Sequence, residues 1–162
     1  MSLGKVLHAS KKTGGSDEWG TPQRIFDKLN EEFSFSLDAC ASEWNAKCPR
    51  YYTEDDDGLM LPWETWTWCN PPYSNIVDWY AKAAKEATLG NSSVILTFAR
   101  TDTRAFHEYA ARASAMIFLR GRIKFIDPIT REAGNAAPAP SVLVFFDANK
   151  VGLRCKVDFA KI

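Results

Sequence analysis

The sequence predicts a single α/β domain, a mostly parallel sheet with helices on its faces. Three observations carry this. Strand-like and helix-like segments alternate from Phe33 to Phe146. Ser93–Ala99 (SVILTFA) is the continuous apolar run of a strand buried on both faces. Between it and an earlier strand, Asn75–Leu89 sets Ile76, Trp79, Tyr80, Ala83 and Ala87 on one helical stripe, with Gly90 after its end.

Residues 1–16 are rich in Lys, Gly and Ser without periodicity and read as a flexible arm, leaving 17–162 as the folded domain. Asp17–Leu29 contains Thr21-Pro22, a helix-start signal, followed by Ile25, Phe26 and Leu29 at helical spacing. Phe33–Ala41 alternates and then becomes small and apolar, a strand running into a loop. Ser42–Asp57 is irregular, with Tyr51-Tyr52-Thr53 as a short strand, and Thr65–Cys69 is a β-prone run stopped by Asn70-Pro71-Pro72. Asp102–Arg112 reads as a helix capped by Asp102 or Thr101. Ala115–Phe125 and Ser141–Phe146 read as strands, the second reversed, with a Pro/Gly/Asn/Ala-rich loop over 126–140 between them.

At 162 residues and 46% apolar composition the chain suits one globular core, which excludes a disordered tail, a fibre and a disulfide-stapled toxin. The 20 basic and 20 acidic side chains cancel, yet residues 1–99 carry 9 basic and 14 acidic groups (net −5) and residues 100–162 carry 11 and 6 (net +5). That polarity suits one basic face. Cys40, Cys48, Cys69 and Cys155 form no CxxC pair and no ligand spacing with His8 or His107, so reduced thiols and no metal are expected. No apolar run approaches the ~18 residues of a membrane span and no leader opens the chain, so a soluble cytoplasmic protein is expected.

Asn70-Pro71-Pro72-Tyr73 is the strongest chemical signal, because it follows a strand and precedes a helix. In an open α/β sheet that is the carboxyl edge, where ligands bind. A plain rigid turn is the structural alternative. Beside it stand Trp19-Gly-Thr-Pro22, Leu37-Asp-Ala-Cys-Ala41, Asp56-Asp-Gly-Leu59 with Trp63, and Arg120-Gly-Arg-Ile-Lys-Phe125. Over Glu18–Phe146 this set resembles the amino-directed, S-adenosylmethionine-dependent DNA methyltransferases, most closely the small phage-type DNA N6-adenine enzymes.

The resemblance implies a catalytic role for Asn70, Pro71, Pro72 and Tyr73. The Asn70 side-chain oxygen and the Pro71 carbonyl would accept from a conjugated amine and raise its nucleophilicity in the transition state. Tyr73 would stack on a base flipped out of duplex DNA. For S-adenosylmethionine it implies Thr21 and Pro22 at a helix start, Asp38, Ala39 and Cys40 in the loop after the first strand, and Asp57, with Asp56 second, for the cofactor adenine. The familiar glycine-rich loop is absent, as no Gly lies between Gly20 and Gly58. Glu43 or Asn45 could serve the ribose, and Trp19 could cover the cofactor. Capping by Thr21 and by Asp38 explains those residues as ordinary structure. Arg100, Arg104, Arg120, Arg122, Lys124 and Arg131 cluster near the catalytic edge and suit DNA phosphates. His107 receives no role.

The expected function is therefore methyl transfer to adenine N6 in double-stranded DNA, in a phage or prophage protein acting in a bacterial host. Sequence specificity would fall to loops such as 126–140 or to a second subunit of a homodimer. Two other readings stand: a methyltransferase on another planar amine (cytosine N4, RNA adenine, a glutamine amide), and a non-catalytic nucleic-acid-binding protein of the same fold.

Overall fold

A computed structural model describes residues 18–161; the expected arm at 1–16 lies outside the described residues. Its sheet has seven strands: β1 (Leu37–Asp38), β2 (Arg50–Tyr51), β3 (Thr67–Cys69), β4 (Ser93–Phe98), β5 (Ala115–Arg120), β6 (Ser141–Phe146) and β7 (Lys156–Lys161). They lie in the order β2-β1-β3-β4-β6-β5-β7. Every pairing is parallel except the two made by β6, so Ser141–Phe146 is the reversed strand, as expected.

Period-two side-chain alternation sorts the central strands into two cores. Ile95, Val142, Val144 and Met116 face the helices α2 (Ile76–Thr88) and α3 (Arg104–Glu108) through Trp79, Tyr80, Ala83 and Phe106. Val94, Leu96, Leu143, Phe145 and Trp68 face Ile25 and Phe26 of α1 (Gln23–Phe33) on the other side. Burial on both faces is why β4 and β6 read as unbroken apolar runs.

Several boundaries differ from the sequence reading. β3 begins at Thr67 rather than Thr65 because Trp66 is left-handed (φ 58°) and kinks the chain there. β5 ends at Arg120 because Gly121 turns at φ 97°, although Ile123 and Phe125 beyond it are still buried. α1 starts at Gln23 with Pro22 at its cap position and no side-chain cap, so Thr21 does not cap it; the helix ends at left-handed Ser34, past the expected Leu29. The stretch 102–112 is the short α3 followed by a 3-10 turn over Ala110–Arg112, and its cap is Thr103, whose hydroxyl accepts from the Phe106 amide, rather than Asp102 or Thr101. β7 escaped the reading. Its side chains are mostly exposed, so it lacks the apolar run that marks β4 and β6.

Trp68 is the largest of the fully buried side chains and sits edge-on to both Phe26 and Phe35. Trp68→Ala is expected to lower unfolding stability by about 3–5 kcal/mol, measured by urea denaturation. A loss below about 1 kcal/mol would contradict this packing.

Candidate active site

β3 cannot continue past Cys69, because Pro71 and Pro72 offer no N–H to a sheet ladder. The chain leaves the sheet at Asn70 and re-enters helix through a 3-10 turn over Tyr73–Asn75. Asn70 is thereby held at the carboxyl edge between the ends of β1 and β4.

Two hydrogen bonds orient the Asn70 amide. Its Nδ2 donates to the Trp19 carbonyl at 3.0 Å, and its Oδ1 accepts from the Tyr73 hydroxyl at 3.1 Å. A carbonyl can only accept, so the amide nitrogen must face Trp19 and the oxygen is fixed on the opposite side. Burial pushes the Tyr73 phenol well above its ordinary range, which keeps it a donor. With one lone pair of Oδ1 taken by Tyr73, the other is available to a further donor. The Tyr73 ring, expected to stack on a base, packs at 4.3 Å against Phe98 and at 6.4 Å against Phe125 (centroid distances).

Trp19 reaches this position because the chain before α1 is tied across the sheet edge. Gly20 and Ile126 exchange backbone hydrogen bonds at 2.9 and 2.8 Å. Gly134 leaves room for the indole: a Cβ there would lie 2.4 Å from Trp19 Cζ3. A cavity of about 750 Å³ opens beside the amide, lined by Trp19, Asn70, Pro71 and Tyr73, by Phe98 and Arg100 after β4, and by the segment 135–138. Its volume suits a small-molecule or nucleobase site. The cavity lies on the β4 side of Asn70.

The expected cofactor residues lie on the β1 side. Asp38 is buried, and both its carboxylate oxygens accept from backbone amides of the following loop, Cys40 at 3.3 Å and Lys47 at 3.0 Å. It closes that loop as a strand-end brace. Ala39 is buried, and Gly58 packs so closely on its carbonyl that a Cβ at 58 would lie 2.1 Å from that oxygen. Asp57 is exposed, in left-handed backbone (φ 59°), and accepts from the Leu59 amide. Asp56 instead braces Thr53 through its amide and hydroxyl, both at 2.8 Å, which lowers its pKa. Asn45 accepts from the Ser42 amide, and Glu43 is exposed. Thr21 is buried at the start of α1, and its hydroxyl has no partner among the described residues.

The six expected cations are all exposed. Arg100 lines the cavity; Arg104 pairs with Glu108, Arg122 donates to the Ala137 carbonyl at 3.2 Å, and Arg131 lies 4.0 Å over the Trp44 ring. Arg120 is at the end of β5 and Lys124 follows between the buried Ile123 and Phe125. The reading missed Phe98, the Trp19 carbonyl and the lining role of 135–138. A backbone carbonyl carries no side-chain signal, and Phe98 is hidden within an apolar strand. No group of three metal-ligating side chains gathers among the described residues, and no helix of them is long and apolar enough to cross a membrane.

A parallel sheet with one reversed strand carries an aimed asparagine and a Pro-Pro turn at the end of a central strand, an arrangement suited to receiving a planar amine at the sheet edge. The match to known proteins narrows the class. The family model for DNA N-6-adenine-methyltransferase (Dam) matches residues 8–156, and the chain belongs to that family. It is 29% identical over 147 residues to the DNA N-6-adenine-methyltransferase of Haemophilus phage HP1 (strain HP1c1), covering 88% of this chain and 85% of that one. It is 27% identical over 154 residues to the enzyme of the same name from Escherichia phage T1, covering 84% of this chain and 65% of that one.

Desolvation pushes the Asp38 carboxyl up to about 7, against the opposing pull of the Lys47 and Cys40 amides and the Lys47 charge. An acid whose folded pKa is raised stabilises the fold fully below its unfolded value, near pH 4, and loses that contribution as pH rises through its folded value. Asp38→Asn cannot titrate. The stability margin of the wild type over this variant is therefore expected to shrink between about pH 4 and pH 7 in urea unfolding and to stay level above that; a constant margin would contradict the shift.

Proposed function

We propose that the chain transfers a methyl group from S-adenosylmethionine to the N6 amino group of adenine in DNA. The observation that carries this reading is the fixed Asn70 amide, whose oxygen is presented beside a cavity at the sheet edge. Membership of the family supports the substrate class.

An exocyclic purine amine is a poor nucleophile because its lone pair is delocalised into the ring. Asn70 Oδ1 and the Pro71 carbonyl accept its two hydrogens and stabilise the charge that develops as the nitrogen becomes pyramidal. Because the amide is already oriented, no reorganisation is required when the amine arrives. Pro71 and Pro72 fix φ near the acceptor and hold its direction. Tyr73 secures Asn70 through its hydroxyl, and its ring contributes an aromatic wall for the base.

The residues on the β1 side fit the cofactor. The unpartnered Thr21 hydroxyl, in a buried position where polar groups are normally bonded, suits a carboxylate at the start of α1 after Pro22. Asp38, through the loop it braces, with Ala39 and Cys40, presents small side chains and backbone to the methionine portion, and Asp57 offers an exposed carboxylate to the adenine amino group. S-adenosylmethionine, when bound, supplies an electrophilic methyl group on a positive sulfonium. Arg100, Arg120, Arg122 and Lys124 supply exposed charge for the phosphates of double-stranded DNA, with Arg104 and Arg131 at the margins, so binding weakens steeply with salt. The reading takes 17–162 as one methyltransferase domain working in the cytoplasm of a bacterial host, with a homodimer as the form that adds specificity contacts.

The test is transfer of labelled methyl from S-adenosylmethionine to unmethylated DNA, followed by digestion to nucleosides. N6-methyladenine is expected, and Asn70→Ala is expected to lower the rate at least about 100-fold with cofactor affinity retained. Label in N4-methylcytosine, or no transfer despite cofactor binding, would overturn the reading. Tyr73→Phe, which removes only the hydroxyl, is expected to lower kcat about tenfold while cofactor affinity is unchanged, the size of one lost hydrogen bond to an oriented group. An unchanged kcat would remove the hydroxyl from the account.

A further inference from the structure

The chain after β5 builds a projection that the reaction chemistry leaves unexplained. Ile123 accepts from the Ala137 amide, Phe125 from the Gly134 amide, and Ile126 bridges Ala133, so 123–126 and 133–137 form the two legs of a hairpin. Gly20 pairs with the same Ile126, which ties the hairpin to the chain that holds Asn70. Its return leg runs into 135–138, which line the cavity.

The tip is stiff rather than loose. Asp127 Oδ1 accepts from the amides of Ile129 at 2.7 Å and Thr130 at 2.9 Å, the Asp127 carbonyl accepts from Arg131, and its amide donates to Glu132. Pro128 fixes the backbone on entry. On this braced tip Ile129 is 82% exposed, the most exposed large apolar side chain among the described residues. Nothing in the fold needs it there. Isoleucine is stiff at χ1, so the tip presents a rigid apolar block. Cations lie along the same projection: Arg131 near the tip, steadied on Trp44, Lys124 on the outgoing leg, and Arg122 at the base, where it donates to the Ala137 carbonyl.

A base that must enter the cavity has to leave its stack, and the duplex closes behind it unless something fills the gap. Apolar side chains inserted between base steps, with cations on the neighbouring phosphates, are the physical means of holding DNA open. We propose that Ile129 is this wedge: it enters the duplex beside the target adenine and occupies the space that the extruded base vacates. The inference rests on the DNA-methylating reading above. Ile129 is a positioning residue, touching the DNA stack and not the reacting atoms.

The test compares single-turnover methyl transfer on two duplexes that differ only opposite the target adenine, thymine in one and an abasic site in the other. An adenine without a partner is already partly free, so it needs less help. Ile129→Ala is expected to slow transfer at least about tenfold on the paired duplex and less than about threefold on the abasic one. Ile129→Leu, which keeps the apolar bulk, is expected to restore most of the paired-duplex rate, and cofactor affinity without DNA is expected to be unchanged in both. Equal losses on the two duplexes, no loss on either, or weakened cofactor binding by Ile129→Ala would overturn the wedge while the methylating reading stands. A wild type inert on both duplexes would overturn that reading, and the wedge with it.

Discussion

The site depends on one hydrogen bond between distant parts of the chain. The carbonyl that orients Asn70 belongs to Trp19, 51 residues upstream. On the proposed reading, an amide free to flip would present its nitrogen to the incoming amine half of the time, and a donor facing a donor repels. The carbonyl removes that ambiguity because it cannot donate. Around it the fold supplies a second fixed point, the Tyr73 hydroxyl, whose burial raises its pKa further above the ordinary phenol value. Preorganisation is thus achieved with two neutral hydrogen bonds and no buried charge.

The strap that carries Trp19 has its own supports. Gly20 pairs with Ile126, and Gly134 leaves room for the indole. The same post-β5 segment lines the cavity and carries the exposed Ile129 tip. One hairpin therefore touches three tasks: it anchors the strap, walls the cavity and projects an apolar side chain outward. The β1 side is organised differently. There Asp38 spends both carboxylate oxygens on the backbone of its own loop.

Much of this was legible in the sequence. Unbroken apolar runs marked β4 and β6 because burial on two faces leaves no polar alternation, and the Asn-Pro-Pro-Tyr turn was visible because prolines stop a strand wherever they fall. The reversed direction of β6 was also anticipated. What stayed hidden was nonlocal. The left-handed Trp66 that shortens β3 and the left-handed Asp57 have no local signature, since neither is glycine. Thr21-Pro22 announced a helix start, yet the hydroxyl caps nothing and is left for another partner. The six cations stand close together in the sequence, but their division into a cavity-lining Arg100, an ion-paired Arg104 and a ring-stacked Arg131 required the fold.

The most direct measurement of the central claim is the methyl-transfer kcat of Gly134→Ala. Nothing in the backbone at 134 forbids a Cβ except the Trp19 ring it would strike. A shifted Trp19 takes its carbonyl away from Asn70, and displacements of about 1 Å at an aimed group cost up to about 100-fold. The account predicts a kcat lowered by about tenfold or more, with cofactor affinity and unfolding temperature close to those of the wild type. A kcat equal to the wild type would contradict the coupling between the Trp19 ring packed on Gly134 and the carbonyl that holds Asn70.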